Sequence, residues 1–181
     1  MDHFEKKIKG HLLYDGKVVK LNVDEVELED GSKAMREYVR HCGGSTVIAE
    51  TEEGILFVEQ FRYPYGRTVL ELPAGKRDGE EDPMLTARRE LEEETGYYAK
   101  RLTYIGELYP SPGYTDERIF IYVADELEKR TSHTDEDEFL SVRAIKADQA
   151  AKMVASGEIK DAKTQIALLK YLCFYRGAEE E

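Results

Sequence analysis

Arg89, Glu90, Glu93 and Glu94 lie close together in a stretch, 83–95, that reads as a helix. At about 100° per residue from Glu90, Glu94 falls at about 40° and Glu93 at about 300°. The three carboxylates then share an arc of about 100°. Leu91, Ala87 and Met84 fall between about 60° and 120°, an apolar strip beside that arc. Glu92 points away at about 200°; Arg89, at about 260°, stands one turn before Glu93 and can pair with it. Like charges at this spacing repel, and half-buried carboxylates repel more unless a cation joins them. Oxygen-only ligands suit a hard ion such as Mg²⁺, which keeps water and phosphate oxygens around itself. The competing reading is a solvated charged face with no metal.

A wider pattern surrounds these residues. Gly75-Lys76-Arg77-Asp78-Gly79-Glu80-Glu81, then the stretch 82–88, then Arg89-Glu90-Leu91-Glu92-Glu93-Glu94-Thr95-Gly96-Tyr97, resembles the Nudix box, G-x5-E-x7-R-E-U-x-E-E-x-G-U. All its fixed polar and glycine positions are filled. Tyr97 departs from the aliphatic residue the pattern prefers, which bears on packing more than on chemistry. The resemblance implies that Glu90, Glu93 and Glu94 face metal, that the backbone carbonyl of Ala74 is a further ligand, and that Arg89 orients a glutamate. Glu81 would support the ligands from outside. The implied reaction is metal-assisted attack of water on a diphosphate linked to some group X.

The flanks narrow X. Ser111-Pro112-Gly113 stands where ADP-ribose pyrophosphatases carry a proline beyond the box. Glu59-Gln60-Phe61-Arg62, Arg36-Glu37 and Asp135-Glu136-Asp137-Glu138 also fall where that subfamily has similar residues, so the resemblance spans roughly 10–175. Arg62 offers a planar fork of donors for phosphate or ribose oxygens. The resemblance makes Glu138 or Glu136, with Glu138 favoured, the catalytic base or the residue that completes the metal sphere. It also implies a homodimer that exchanges an N-terminal β module, with Arg36 and Glu37 contacting the nucleoside. Val18 or Val19 stands nearest to where the family stacks an aromatic ring on adenine, which leaves that task to Tyr14, Tyr38 or a ring elsewhere. The expected protein is an Mg²⁺-dependent ADP-ribose pyrophosphatase yielding AMP and ribose 5-phosphate, with Mn²⁺ or another divalent cation as a substitute. The alternatives are another ADP-sugar, a flavin or dinucleotide, a damaged nucleoside triphosphate, or a silent nucleotide-sensing module.

Elements must position these groups. Asp82 suits an N-cap, Pro83 the first helical position and Gly96 the stop. Residues 11–41 read as strands around the turn dipeptides Asp15-Gly16 and Asp30-Gly31, with a slip in the alternation near Asp24-Glu25. Gly43-Gly44 then divides an N-terminal module, 1–43, from a hydrolase domain, 44–181. Strands are expected at Thr46–Ala49, Ile55–Phe61, Thr68–Leu72, Tyr104–Tyr109, Arg118–Ala124 and Phe139–Ile145, and helices at Lys146–Ala155 and Asp161–Tyr175. The class is α/β (α+β), and the resemblance specifies an α/β/α sandwich with a mixed sheet.

Composition sets the outer limits. Lys and Arg number 26 against 38 Asp and Glu, a formal charge of −12, which argues against nucleic-acid polymers and anionic membranes. A small nucleotide carried by a cation remains compatible. The first seven residues have no apolar run, so no secretory signal is expected. Cys42 and Cys173 have no metal-ligand spacing, which fits a reducing cytoplasm.

Overall fold

The computed structural model describes residues 3–132 and 139–177. The chain divides into two compact units: Met1–Gly43 with Tyr109–Arg118, and Gly44–Leu108 with Ile119–Glu181.

The first unit is an antiparallel meander of β1 (Lys6–Asp15), β2 (Lys20–Glu27) and β3 (Lys33–Arg40). β1 starts earlier than the alternation suggested. Its register slips twice, between Lys7 and Lys9 and between Leu12 and Tyr14, whereas β2 pairs with β3 without interruption. The irregularity expected near Asp24-Glu25 is therefore carried by the facing strand. Asp24 itself is buried, bound by Lys7 Nζ at 2.9 Å and by the Tyr38 hydroxyl at 3.1 Å. The segment Tyr109–Arg118 joins this unit through Val39, whose N–H donates to the Tyr114 carbonyl at 2.8 Å.

The second unit contains β4 (Gly44–Thr51), β5 (Gly54–Arg62), β6 (Arg67–Glu71), β7 (Ala74–Lys76), α1 (Pro83–Thr95), β8 (Tyr97–Leu108), β9 (Ile119–Lys129), β10 (Leu140–Ile145), α2 (Ala147–Ala155) and α3 (Ala162–Phe174). Its sheet runs β10-β5-β4-β9-β8, with β6 on β5 and β7 on β4. The β4–β9 pair is parallel and its other pairs are antiparallel, so the sheet is mixed.

Strand alternation explains the layers. In β4, Val47 and Ala49 pack with Ala87 and Leu91 of α1, while Ile48 packs with Ala147, Ala150 and Met153 of α2 and Ala167 and Leu168 of α3. In β5, Leu56 joins the first cluster and Ile55 and Phe57 the second. Helices therefore cover both faces, the α/β/α sandwich expected. β8 is longer than its sequence suggested. Its buried residues Ala99, Leu102, Ile105 and Leu108 recur every third position, with a bulge between Tyr104 and Gly106, so the two-residue period is hidden. Among the described residues, no helix is long and apolar enough to cross a membrane.

Candidate active site

Helix α1 is fixed at both ends by its sequence. Asp82 accepts from Met84 N–H at 2.7 Å, Pro83 needs no N–H partner in the first turn, and Gly96 closes the helix at φ 72°. Ser45 of β4 donates its hydroxyl to the Pro83 carbonyl at 2.7 Å, tying the helix start to the sheet. Burial of Ala87 and Leu91 sets the rotation about the axis. Met84, expected in the same strip, is largely exposed because it sits in the first turn; Thr86 is buried instead.

That rotation turns Glu90 and Glu94 inward, to 9% and 4% exposure. Each has a tailored support. Glu94 Oε2 accepts from the backbone N–H of Ala74 at 3.0 Å. Ala74 belongs to a segment pinned to β4, since the Pro73 carbonyl accepts from Val47 N–H at 2.9 Å and from the Thr46 hydroxyl at 3.1 Å. Glu90 lies against Gly75, where a Cβ would stand 1.9–2.2 Å from the carboxylate. Only glycine admits Glu90 there.

Arg89 joins the remaining acids. Its Nη1 donates to Glu90 at 2.7 Å and to Glu93 at 3.0 Å, and its Nη2 to Glu81 at 3.1 Å and to the Lys76 carbonyl at 3.2 Å. Burial would ease its deprotonation, but Glu81 and Glu90 outweigh burial and hold its pKa well above the usual arginine value. Arg89, with help from the Thr86 hydroxyl at 2.8 Å, keeps the Glu81 carboxyl below its ordinary range. Glu81, Arg89 and Glu93 line an open cleft of about 440 Å³ together with Leu85, Arg88, Glu92 and Tyr98.

The donor set fits a hard divalent cation: two buried carboxylates, a third beside them, and a carbonyl on a pinned segment. Among the described residues, no three acidic, histidine or cysteine groups already converge on one point. Arg89 Nη1 instead gathers one oxygen of Glu90 and one of Glu93.

Arg62 at the end of β5 is engaged rather than open. Its Nε and Nη2 donate to Glu71 at 2.7 and 2.8 Å. Glu71 is 3% exposed and also accepts from Lys163 of α3. Sequence reasoning missed Glu71 and Lys163. The available signal was a carboxylate at the end of an apolar strand, just before Leu72-Pro73-Ala74-Gly75, where an unpaired charge would be costly.

The other candidates belong to the first unit. Arg36 donates its Nε to Glu5 at 2.8 Å, and Glu37 is exposed opposite Val23. The Ser111 carbonyl accepts from Tyr114 and Thr115 N–H, both at 3.2 Å, so Ser111-Pro112-Gly113 opens a turn, with Pro112 and Gly113 exposed. Tyr14, Val18 and Val19 are exposed. The Tyr38 hydroxyl is bound to Asp24, and Arg40 lies over its ring at 5.2 Å. Glu136 and Glu138 lie outside the described residues.

Comparison with known proteins places this geometry. A model of the NUDIX domain matches residues 22–165. ADP-ribose pyrophosphatase of Bacillus subtilis (strain 168) is 48% identical over 169 residues, covering 91% of this chain and 90% of that protein. A methanol dehydrogenase activator of Bacillus methanolicus is 45% identical over 167 residues, again 91% and 90% of the two chains. A crystal structure of an ADP compounds hydrolase superposes with a TM-score of 0.84 over 96% of this chain and 95% of that one, at 18% identity, which speaks to the fold. With the family pattern matched across most of its length and the inward glutamates standing on the helix that pattern requires, the chain belongs to the Nudix family.

Proposed function

We propose that this chain hydrolyses the diphosphate of ADP-ribose, or of a related ADP-sugar, to AMP and ribose 5-phosphate with a divalent cation, Mg²⁺ by preference. The observation that carries this reading is the buried pair Glu90 and Glu94, one seated against Gly75 and the other on Ala74 N–H. Two buried carboxylates on one helix face repel each other, and a divalent cation between them would relieve that repulsion. The likeness to an ADP-ribose pyrophosphatase along nearly the whole chain supports the substrate.

In this reading Glu90, Glu93, Glu94 and the Ala74 carbonyl hold the cation. When bound, it neutralises the diphosphate and acidifies the attacking water. Arg89 holds Glu90 and Glu93 fixed in direction. Glu138, or else Glu136, takes the proton as the water oxygen bonds to phosphorus. The bridging P–O bond breaks and its electron pair leaves with the departing phosphate. Arg62 contacts the substrate's anionic oxygens.

The N-terminal module, 1–43, is assigned to exchange across a homodimer, where Arg36 and Glu37 reach the nucleoside held by the partner copy. β1 is exposed along its whole length, with Ile8, Leu12, Leu13 and Tyr14 uncovered. A long edge strand bearing apolar side chains calls for cover. Light scattering on the purified protein should give twice the chain mass of 20.8 kDa.

The deciding experiment is a hydrolysis screen of nucleoside diphosphate derivatives and triphosphates with Mg²⁺, Mn²⁺ and other divalent cations. ADP-ribose should be cleaved to AMP, and Glu94→Gln should lower kcat by orders of magnitude in a folded protein. Faster turnover of a nucleoside triphosphate overturns the substrate assignment. Nucleotide binding without hydrolysis under any metal points to a silent sensing module.

A further inference from the structure

Glu71 sits where three elements meet. Two donors reach it from Arg62 of β5 and one from Lys163 in the first turn of α3. Lys163 also pairs with Asp161 at 3.1 Å. Burial alone would push the Glu71 carboxyl up, yet Arg62 and Lys163 hold it below its ordinary range, so it is charged.

A purely structural role explains this poorly. The same junction already has an uncharged clasp, because the Thr164 hydroxyl accepts from Leu72 N–H at 2.9 Å while Asp161 caps α3 through Thr164 N–H at 2.9 Å. Apolar groups of similar volume usually serve a buried contact as well as an ion pair does. What an apolar residue cannot do is fix the plane of a guanidinium. Glu71 takes Nε and Nη2, so the edge of Arg62 carrying Nη1 is turned away from it. The Arg62 side chain is 37% exposed while that of Glu71 is 4% exposed, so the exposed part of the pair is cationic. Three residues after Glu71 comes Ala74, whose N–H holds Glu94. Glu71 and the seat of Glu94 therefore stand on one short segment, 71–74.

We infer that Glu71 is a positioning residue that, braced by Lys163, aims Arg62 at the diphosphate of the substrate; this rests on the hydrolase reading above. Lys163 keeps Glu71 from following Arg62 outward. The pair thus acts on substrate binding through Arg62, with no contact of its own with the reacting atoms.

Steady-state kinetics with ADP-ribose and saturating Mg²⁺ test this in a double-mutant cycle. Arg62→Ala and Glu71→Gln should each raise KM about ten- to a hundredfold, the worth of a hydrogen bond to a charged group. kcat should stay within about threefold, since a ground-state grip is lost. Mn²⁺ affinity, measured by paramagnetic resonance, should not change. The double variant should be no worse than Arg62→Ala, because Glu71 has nothing left to aim. Lys163→Gln should move KM in the same direction, and Lys163→Arg should restore it. Additive losses in the double variant, or an unchanged KM in Glu71→Gln, overturn the inference. If Glu71→Gln does not fold, the cycle of Lys163→Gln with Arg62→Ala decides by the same criterion. An active wild type whose KM ignores Arg62→Ala defeats this inference alone. A wild type inert toward ADP-ribose defeats the parent reading and this one with it.

Discussion

Gly75→Ala is the smallest change that tests the seating of Glu90. The added Cβ would stand 1.9 Å from Glu90 Cδ and 2.1 and 2.2 Å from its two oxygens. Ordinary contact begins near 3.4 Å, so the carboxylate carbon at 1.9 Å must retreat by roughly 1.5 Å. Its surroundings resist. Glu90 is 9% exposed and tied to Arg89 at 2.7 Å, and Gly75 is itself paired with Ser45 in the β4–β7 ladder. Gly75 has no positive φ, so the backbone adds no strain and the effect is purely one of space. Overpacking of this kind costs about 1–3 kcal/mol, or about 2–12 °C in Tm for a chain of this size. The functional loss should be larger, because Mg²⁺ demands ligands near 2.0–2.1 Å and a misplacement of about 1 Å can cost about a hundredfold in rate. The assay is kcat for ADP-ribose well below Tm, alongside Mn²⁺ affinity; both should fall, kcat by about a hundredfold. Gly157→Ala is the control: φ is +76° with nothing within 4 Å, so alanine brings about 1 kcal/mol of backbone strain away from the site. It should lower Tm by a few degrees and leave kcat alone. Wild-type kcat and Mn²⁺ affinity in Gly75→Ala would refute the seating of Glu90 against this glycine as a requirement for metal binding.

Three further outcomes follow from the same geometry. Mn²⁺ at about a hundred times its Kd should stabilise the fold by about 2.7 kcal/mol, visible as a Tm rise of several degrees that the double variant Glu90→Gln with Glu94→Gln abolishes. Because the folded Glu71 carboxyl lies below its ordinary value of 4.5, its contribution is complete above that pH and is lost as pH falls through the folded value. Glu71→Gln should therefore flatten the decline of Tm with acid below about pH 4.5, measured by circular dichroism. Asp161→Ala removes the cap of α3 and a partner of Lys163, and should cost about 1 kcal/mol, or about 2–4 °C, in the same measurement.

The helix and its acids were legible in the sequence because their signals are local. Asp82-Pro83 and Gly96 mark the ends of α1 through backbone chemistry confined to a few residues. The helical period then places Glu90 and Glu94 together, and burial of Ala87 and Leu91 turns them inward. The strands β4 and β5 were equally plain, since apolar runs on both faces suit a covered sheet. What escaped depends on distance along the chain. Glu71 and Lys163 are 92 positions apart, and nothing near either announces the other. The joining of Tyr109–Arg118 to the first unit rests on backbone bonds to Val39, which carry no side-chain signature. Arg62 was recognised as a fork of donors, but a fork read from sequence does not say which tine is already taken.

The two charged clusters of the second unit differ in their balance of charge. Around Arg89, three carboxylates, Glu81, Glu90 and Glu93, share one guanidinium. One positive charge cannot neutralise three negative ones, and Glu94 lies in the same arc of the helix. Arg89 limits the repulsion within this cluster, and the proposed cation would limit it further. Around Glu71 the proportion is reversed: one carboxylate draws two cations, Arg62 and Lys163, and Asp161 balances the second. A balanced cluster attracts no ion from solution, but it fixes directions. The formal charge of −12 is therefore unevenly spread. Acid exceeds base around Arg89, whereas around Glu71 a guanidinium is held in a fixed direction.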